Sequence, residues 1–139
     1  MSKLTSSDID TLSGPELDSL VAEFVMGETK PTETHRDHID LVLHGHGWFC
    51  LPDYYRGDIC EWEPQPYSTS WRMAGEIINY LLLDGYKFDC GIDDENFYAR
   101  FHTADEKTVY VGWAYRGVPG EELAAAVCKA ALKAVVANG

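Results

Sequence analysis

The feature that most constrains this chain is the order of its hydrophobic periods across residues 67–136. One helical run is followed by three short alternating runs and then a second helical run. The hydroxyls of Tyr67-Ser68-Thr69-Ser70 stand just ahead of Trp71, Ala74, Ile77, Ile78 and Leu81, which share one face at helical spacing. Asp84-Gly85 ends that helix, since glycine accepts the left-handed conformation of a helix terminus. Residues 86–92, 97–103 and 108–115 then alternate as strands do, with polar turns at 93–96 and 104–107. Gly117-Val118-Pro119-Gly120-Glu121-Glu122 opens the last helix. Proline suits its first turn and the carboxylates suit the positive end of its dipole. Ala124, Val127, Cys128, Ala131 and Val135 are its expected buried stripe.

Three strands joined by turns this short predict an antiparallel meander, with both flanking helices on one side. The expected core face carries Phe88, Cys90, Phe97, Ala99, Phe101, Val109, Val111 and Trp113. The opposite face is expected to carry Lys87, Asp89, Tyr98, Arg100, His102 and Tyr110. Upstream, Ser13-Gly14-Pro15-Glu16 reads as a capping box with proline in the first turn, and Gly27 closes the helix it starts. Leu17, Leu20, Val21 and Phe24 form its apolar stripe, the natural cover for the second face of the sheet. The fold class expected is therefore α+β. It is a three-layer α/β/α sandwich around an antiparallel three- to four-stranded sheet, in the order helix, insert, helix, three strands, helix.

At 139 residues one domain is expected, with residues 1–12 frayed and residues 67–137 as the αβββα core. Residues 28–66 are an irregular insert rich in histidine and aromatics. Within it, residues 34–44 suit a short helix and 48–51 a strand. No apolar run approaches the roughly 20 residues of a membrane span, and no basic-then-apolar leader opens the chain, so a cytoplasmic protein is expected. Cys50, Cys60, Cys90 and Cys128 form no CxxC pair and read as free thiols.

The net charge of -12 is lopsided: residues 1–64 hold 4 Lys+Arg against 13 Asp+Glu. An acidic chain repels phosphate backbones, which argues against duplex nucleic acid as a partner. Double-stranded-RNA-binding domains share the helix-strand-strand-strand-helix order. Their last helix opens on lysines, whereas this one opens on Glu121 and Glu122.

Chemistry is thinly written. His35, His38, His44 and His46 cluster near Cys50 and Cys60, but in no spacing that marks a structural zinc site, and surface histidines are the ordinary reading. No metal or other cofactor is expected. Cys50 with His46 matches no protease signature, and GxSxG, GxxxxGK[ST] and GxGxxG are all absent. The aromatics are more suggestive. Trp48, Tyr54, Tyr55, Trp62, Tyr67 and Trp71 surround the insert and the start of the central helix, with Arg56 and Arg72 among them. Flat rings beside guanidinium groups suit a pocket for a base-containing small molecule. The helix start at Ser68-Thr69-Ser70 could receive an anionic group. The candidate ligand-binding residues are therefore Trp48, Tyr67, Ser68, Thr69, Trp71, Arg72 and Arg100. The competing reading is that the same aromatics simply pack the insert onto the domain.

Several segments together resemble the phage ABA-sandwich domain family: residues 12–27 (LSGPELDSLVAEFVMG), Pro66-Tyr67-Ser68-Thr69 before a Trp-bearing helix, Asp84-Gly85-Tyr86-Lys87-Phe88, and the alanine-rich residues 119–137. The resemblance spans most of the chain outside residues 28–60. It implies a small phage or prophage protein, acting in the host cytoplasm, with helical layers around an antiparallel sheet and no established catalytic residues. By analogy of context it suggests a homo-oligomeric, non-enzymatic accessory protein that sequesters a small host ligand, such as a nucleotide-derived immune signal. Two other functions remain open at this stage: an acidic module that inhibits a host protein, and a zinc-dependent hydrolase using the histidine cluster.

Overall fold

A computed structural model describes residues 4–27, 42–43, 49–52, 59–61, 66–117 and 122–138. The protein is α+β, with helices layered against an antiparallel sheet. Its main sheet is a three-stranded antiparallel meander of β4 (Lys87–Asp93), β5 (Asn96–His102) and β6 (Val109–Tyr115). A second, smaller antiparallel sheet is built from β1 (Val42–Leu43), β2 (Phe49–Pro52) and β3 (Ile59–Glu61). Val42 stands opposite Cys50, and Leu51 opposite Cys60. The strand expected at 48–51 is thus present one residue later. Val42 and Leu43, expected to end a helix, pair as a strand instead.

Helix α3 (Trp71–Leu83) begins where the hydroxyl run predicted, with the Ser70 side chain accepting from the Met73 N–H at 3.3 Å. It ends at Asp84, and Gly85 takes a φ of 100°. The N-terminal residues hold more order than expected. Helix α1 (Ser6–Asp10) has a reciprocal cap: the Thr5 hydroxyl accepts from the Asp8 N–H, and the Asp8 carboxylate accepts from the Thr5 N–H. Ile9 and Leu12 are buried, which ties this turn to the core. Helix α2 (Gly14–Leu20) follows with Ser13 at its N-cap, although the Ser13 side chain makes no capping hydrogen bond. It runs on as a π turn (Val21–Val25) up to Gly27, whose φ is 68°.

The centre of the molecule is α4 (Leu123–Asn138). Every side chain from Ala124 to Leu132 is buried, so the helix has no solvent stripe over these turns. It packs on β5 and β6 on one side, on α3 beside it, and on α1, α2 and the π turn elsewhere. The N-terminal helices therefore cover α4 rather than the second face of the main sheet. The reason is the all-round apolar, small-residue surface of α4, which must be enclosed from several directions at once.

The register of β6 also differs from the expectation. Cross-strand pairing aligns Phe88, Phe101 and Tyr110 in one row, Cys90, Ala99 and Gly112 in the next, and Ile92, Phe97 and Ala114 in a third. These residues form the face toward α4. Val109, Val111 and Trp113, expected in the core, alternate onto the outer face, and Tyr110 moves inward. Gly112 gives the physical cause. A Cβ built there would run into the Ala126 carbonyl oxygen and lie 2.6 Å from the Ala130 nitrogen, so the helix backbone rests directly on the strand. That approach leaves no room for valine or tryptophan on this side of β6.

Candidate functional site

The outer face of the main sheet carries four cross-strand rows: Lys87-His102-Val109, Asp89-Arg100-Val111, Gly91-Tyr98-Trp113 and Asp93-Asn96-Tyr115. Directly opposed side chains on one face of a sheet lie close enough to interact, and here they do so in a connected series. Asp89 is the anchor. Its Oδ1 accepts from the Arg100 Nε at 2.7 Å and lies 2.6 Å from the Arg100 Nη2, and its Oδ2 meets the His102 Nε2 at 2.7 Å. Burial alone would raise the Asp89 pKa. The hydrogen bonds from His102 and Arg100, with the charge behind them, outweigh that and hold it below the ordinary carboxylate value.

Arg100 in turn lies over the Tyr98 ring, 5.0 Å from its centroid, a cation–π geometry. Tyr98 and Trp113 are tilted neighbours with ring centroids 5.8 Å apart. Tyr98 also lies across Gly91, where a Cβ would come within 2.6 Å of the phenolic oxygen. Glycine at 91 thus lets the ring lie down on β4. Trp113 remains 41% exposed. Beside these groups is a shallow cleft of about 440 Å³ lined by Ile92, Asp93, Tyr98, Arg100, Val111 and Trp113. A second cleft, of about 590 Å³, opens at the β4–β5 turn between Asp94, Glu95, Tyr115 and Arg116.

This arrangement offers flat rings for stacking and a guanidinium with two of its five N–H donors engaged by Asp89. Cys90 projects from the other face, and Cys128 is buried with its thiol pKa pushed up, chiefly by burial.

The sequence-derived candidates that are described fall at two places, the start of α3 and the outer face of the main sheet. Tyr67 and Ser68 are buried, and the Ser68 N–H donates to Asp18 Oδ1 at 2.7 Å, fastening the turn before α3 to α2. Thr69, Trp71 and Arg72 are exposed at the start of α3. Arg100 stands on the sheet face turned away from α4, where its guanidinium meets Asp89 and the Tyr98 ring. Trp48, Tyr54, Tyr55 and Trp62 lie outside the described residues, as do His35, His38, His44 and His46. Among the described residues no group of three His, Cys, Asp or Glu could hold a metal ion, and no helix is long and apolar enough to cross a membrane. Trp113 and Val111 were missed because apolar alternation assigned them to the core. The signal that could have found them was Gly112-x-Ala114, the small-residue parity that an alanine-rich helix prefers.

Compared with known proteins, the chain matches no family model, no curated sequence and no solved structure.

Proposed function

We propose that this is a binding protein whose outer sheet face captures a small planar ligand, with Trp113 and Tyr98 as the stacking surface and Arg100 as the donor to an anionic or carbonyl group. The observation that carries this reading is the Asp89-anchored Arg100, already oriented beside two aromatic rings and a cleft of about 440 Å³. A guanidinium held in place before binding loses less freedom when a ligand arrives. The ligand class that fits is a base-bearing molecule of low charge, because the chain's net charge of -12 disfavours a heavily phosphorylated one. A nucleotide-derived signal sequestered in a phage-infected cell is the specific case suggested by the resemblance to the phage ABA-sandwich family.

Native mass spectrometry of the protein purified from phage-infected cells tests this directly. The expected result is a stoichiometric nucleotide-sized adduct on the wild type that is lost from Trp113→Ala and Arg100→Ala. A clean mass on all three, with salt-sensitive capture of a basic protein, would move the function to the alternative that the acidic first half favours: inhibition of a host protein.

A further inference from the structure

The two edges of the main sheet are treated differently. At β6 the edge carbonyls of Val111 and Trp113 accept from Lys133 Nζ at 2.8 Å and Lys129 Nζ at 3.4 Å. Lys133 is held there by Asp10, 2.6 Å away on α1. Both lysines come from α4, and they close that edge with charge. At β4 no such device is present among the described residues. Among the described residues β4 pairs with β5 alone and its outward backbone groups meet no other strand, and Cys90 and Ile92 are exposed along it, Ile92 by 59%. An open edge bearing exposed apolar side chains is a template for another strand.

We propose that the β4 edge is a self-association surface, on which a second copy of this chain pairs antiparallel about a two-fold axis at Cys90. Residues directly opposed across an antiparallel pair share a face, so the axis must pass through a residue. With the axis at Cys90 all seven residues of β4 pair. Lys87 faces the partner's Asp93 on the outer face, Phe88 faces the partner's Ile92 on the inner face, Asp89 faces the partner's Gly91, and the two Cys90 side chains oppose each other. An axis at Asp89 would set that carboxylate against its own copy. An axis at Gly91 would set Asp89 against the partner's Asp93. The Cys90 register satisfies both the charges and the apolar face, and it covers Ile92. The result is a six-stranded sheet whose two ends are the lysine-closed β6 edges. Ile92 and Asp93 also line the cleft proposed above for the ligand, but the pairing of β4 does not require a ligand to be bound.

Sedimentation velocity of the whole protein over a concentration series, with a charge swap, tests the register. The wild type is expected to show a reversible monomer–dimer equilibrium. Asp93→Lys and Lys87→Asp should each weaken it by about tenfold or more, because each sets like charges opposite one another twice. The double variant Lys87→Asp with Asp93→Lys should restore the dimer, since opposite charges again meet. A short bismaleimide should cross-link the wild-type dimer and fail on Cys90→Ser. Lys87, Cys90 and Asp93 are all at the surface, and circular dichroism of each variant checks that the fold is retained. A wild type that stays monomeric throughout the series overturns the proposal. So does a dimer indifferent to either single change, or one that the double variant does not restore.

Discussion

Both faces of the main sheet carry apolar side chains, yet they use them in opposite ways. Inward, Ala99, Phe101, Gly112 and Ala114 are buried against α4, and the defining quantity is space. Outward, Val109, Trp113 and Tyr115 are left exposed beside a chain of polar contacts from Tyr98 through Arg100 and Asp89 to His102. The inner face stabilises the fold, and the outer one is available to a ligand. Side-chain size, more than hydrophobicity, decides which strand parity goes where.

The sharpest way to break this comparison is to cut the inner face. Phe101→Ala removes a fully buried ring that packs on Phe88 and Tyr86, and should cost about 3–5 kcal/mol in urea unfolding. The two glycines sharpen it further. Gly112→Val forces a side chain into the α4 backbone and should lose about 3 kcal/mol, the upper range for overpacking. Gly91→Ala meets only the movable end of Tyr98 and should lose less than about 1 kcal/mol. Equal losses at the two positions would mean that α4 does not rest on β6 as described.

On the outer face, Trp113→Ala should shift stability by less than about 1 kcal/mol while abolishing ligand capture, because its ring is substantially exposed. The smallest expected effect is a pH dependence. Asp89 has a folded pKa below its ordinary value, so its contribution is complete above the unfolded carboxyl pKa, near about 3.9, and is lost as pH falls through the folded value. The carboxylate is 40% exposed, which keeps this contribution modest. Chemical denaturation between pH 5 and pH 2 should show a shallower acid decline for Asp89→Asn than for the wild type. Identical slopes would show that Arg100 and His102 do not hold this carboxylate ionised.

Much of the architecture was legible residue by residue. Ser70 caps α3, Gly85 ends it, Asp94-Glu95 turns the first hairpin, and the meander order follows from connections too short for any other pairing. Part of the outer face was legible as well, since alternation alone puts Asp89, Tyr98, Arg100 and His102 together. The anchoring of Arg100 by Asp89 was not legible, because register across strands is a tertiary property. Nor was the placement of Tyr67 and Ser68, where hydroxyl and aromatic chemistry that suits a ligand is instead spent on the buried turn held by Asp18.

Local sequence determined the period, caps and turns of this protein, since each depends on a few neighbouring residues and on backbone geometry. Tertiary structure decided which parity of β6 faces inward and which helix becomes the centre. Both depend on how closely two backbones approach. At Gly112 the α4 backbone comes closer than any side chain would allow, and Val111 and Trp113 are turned outward as a result.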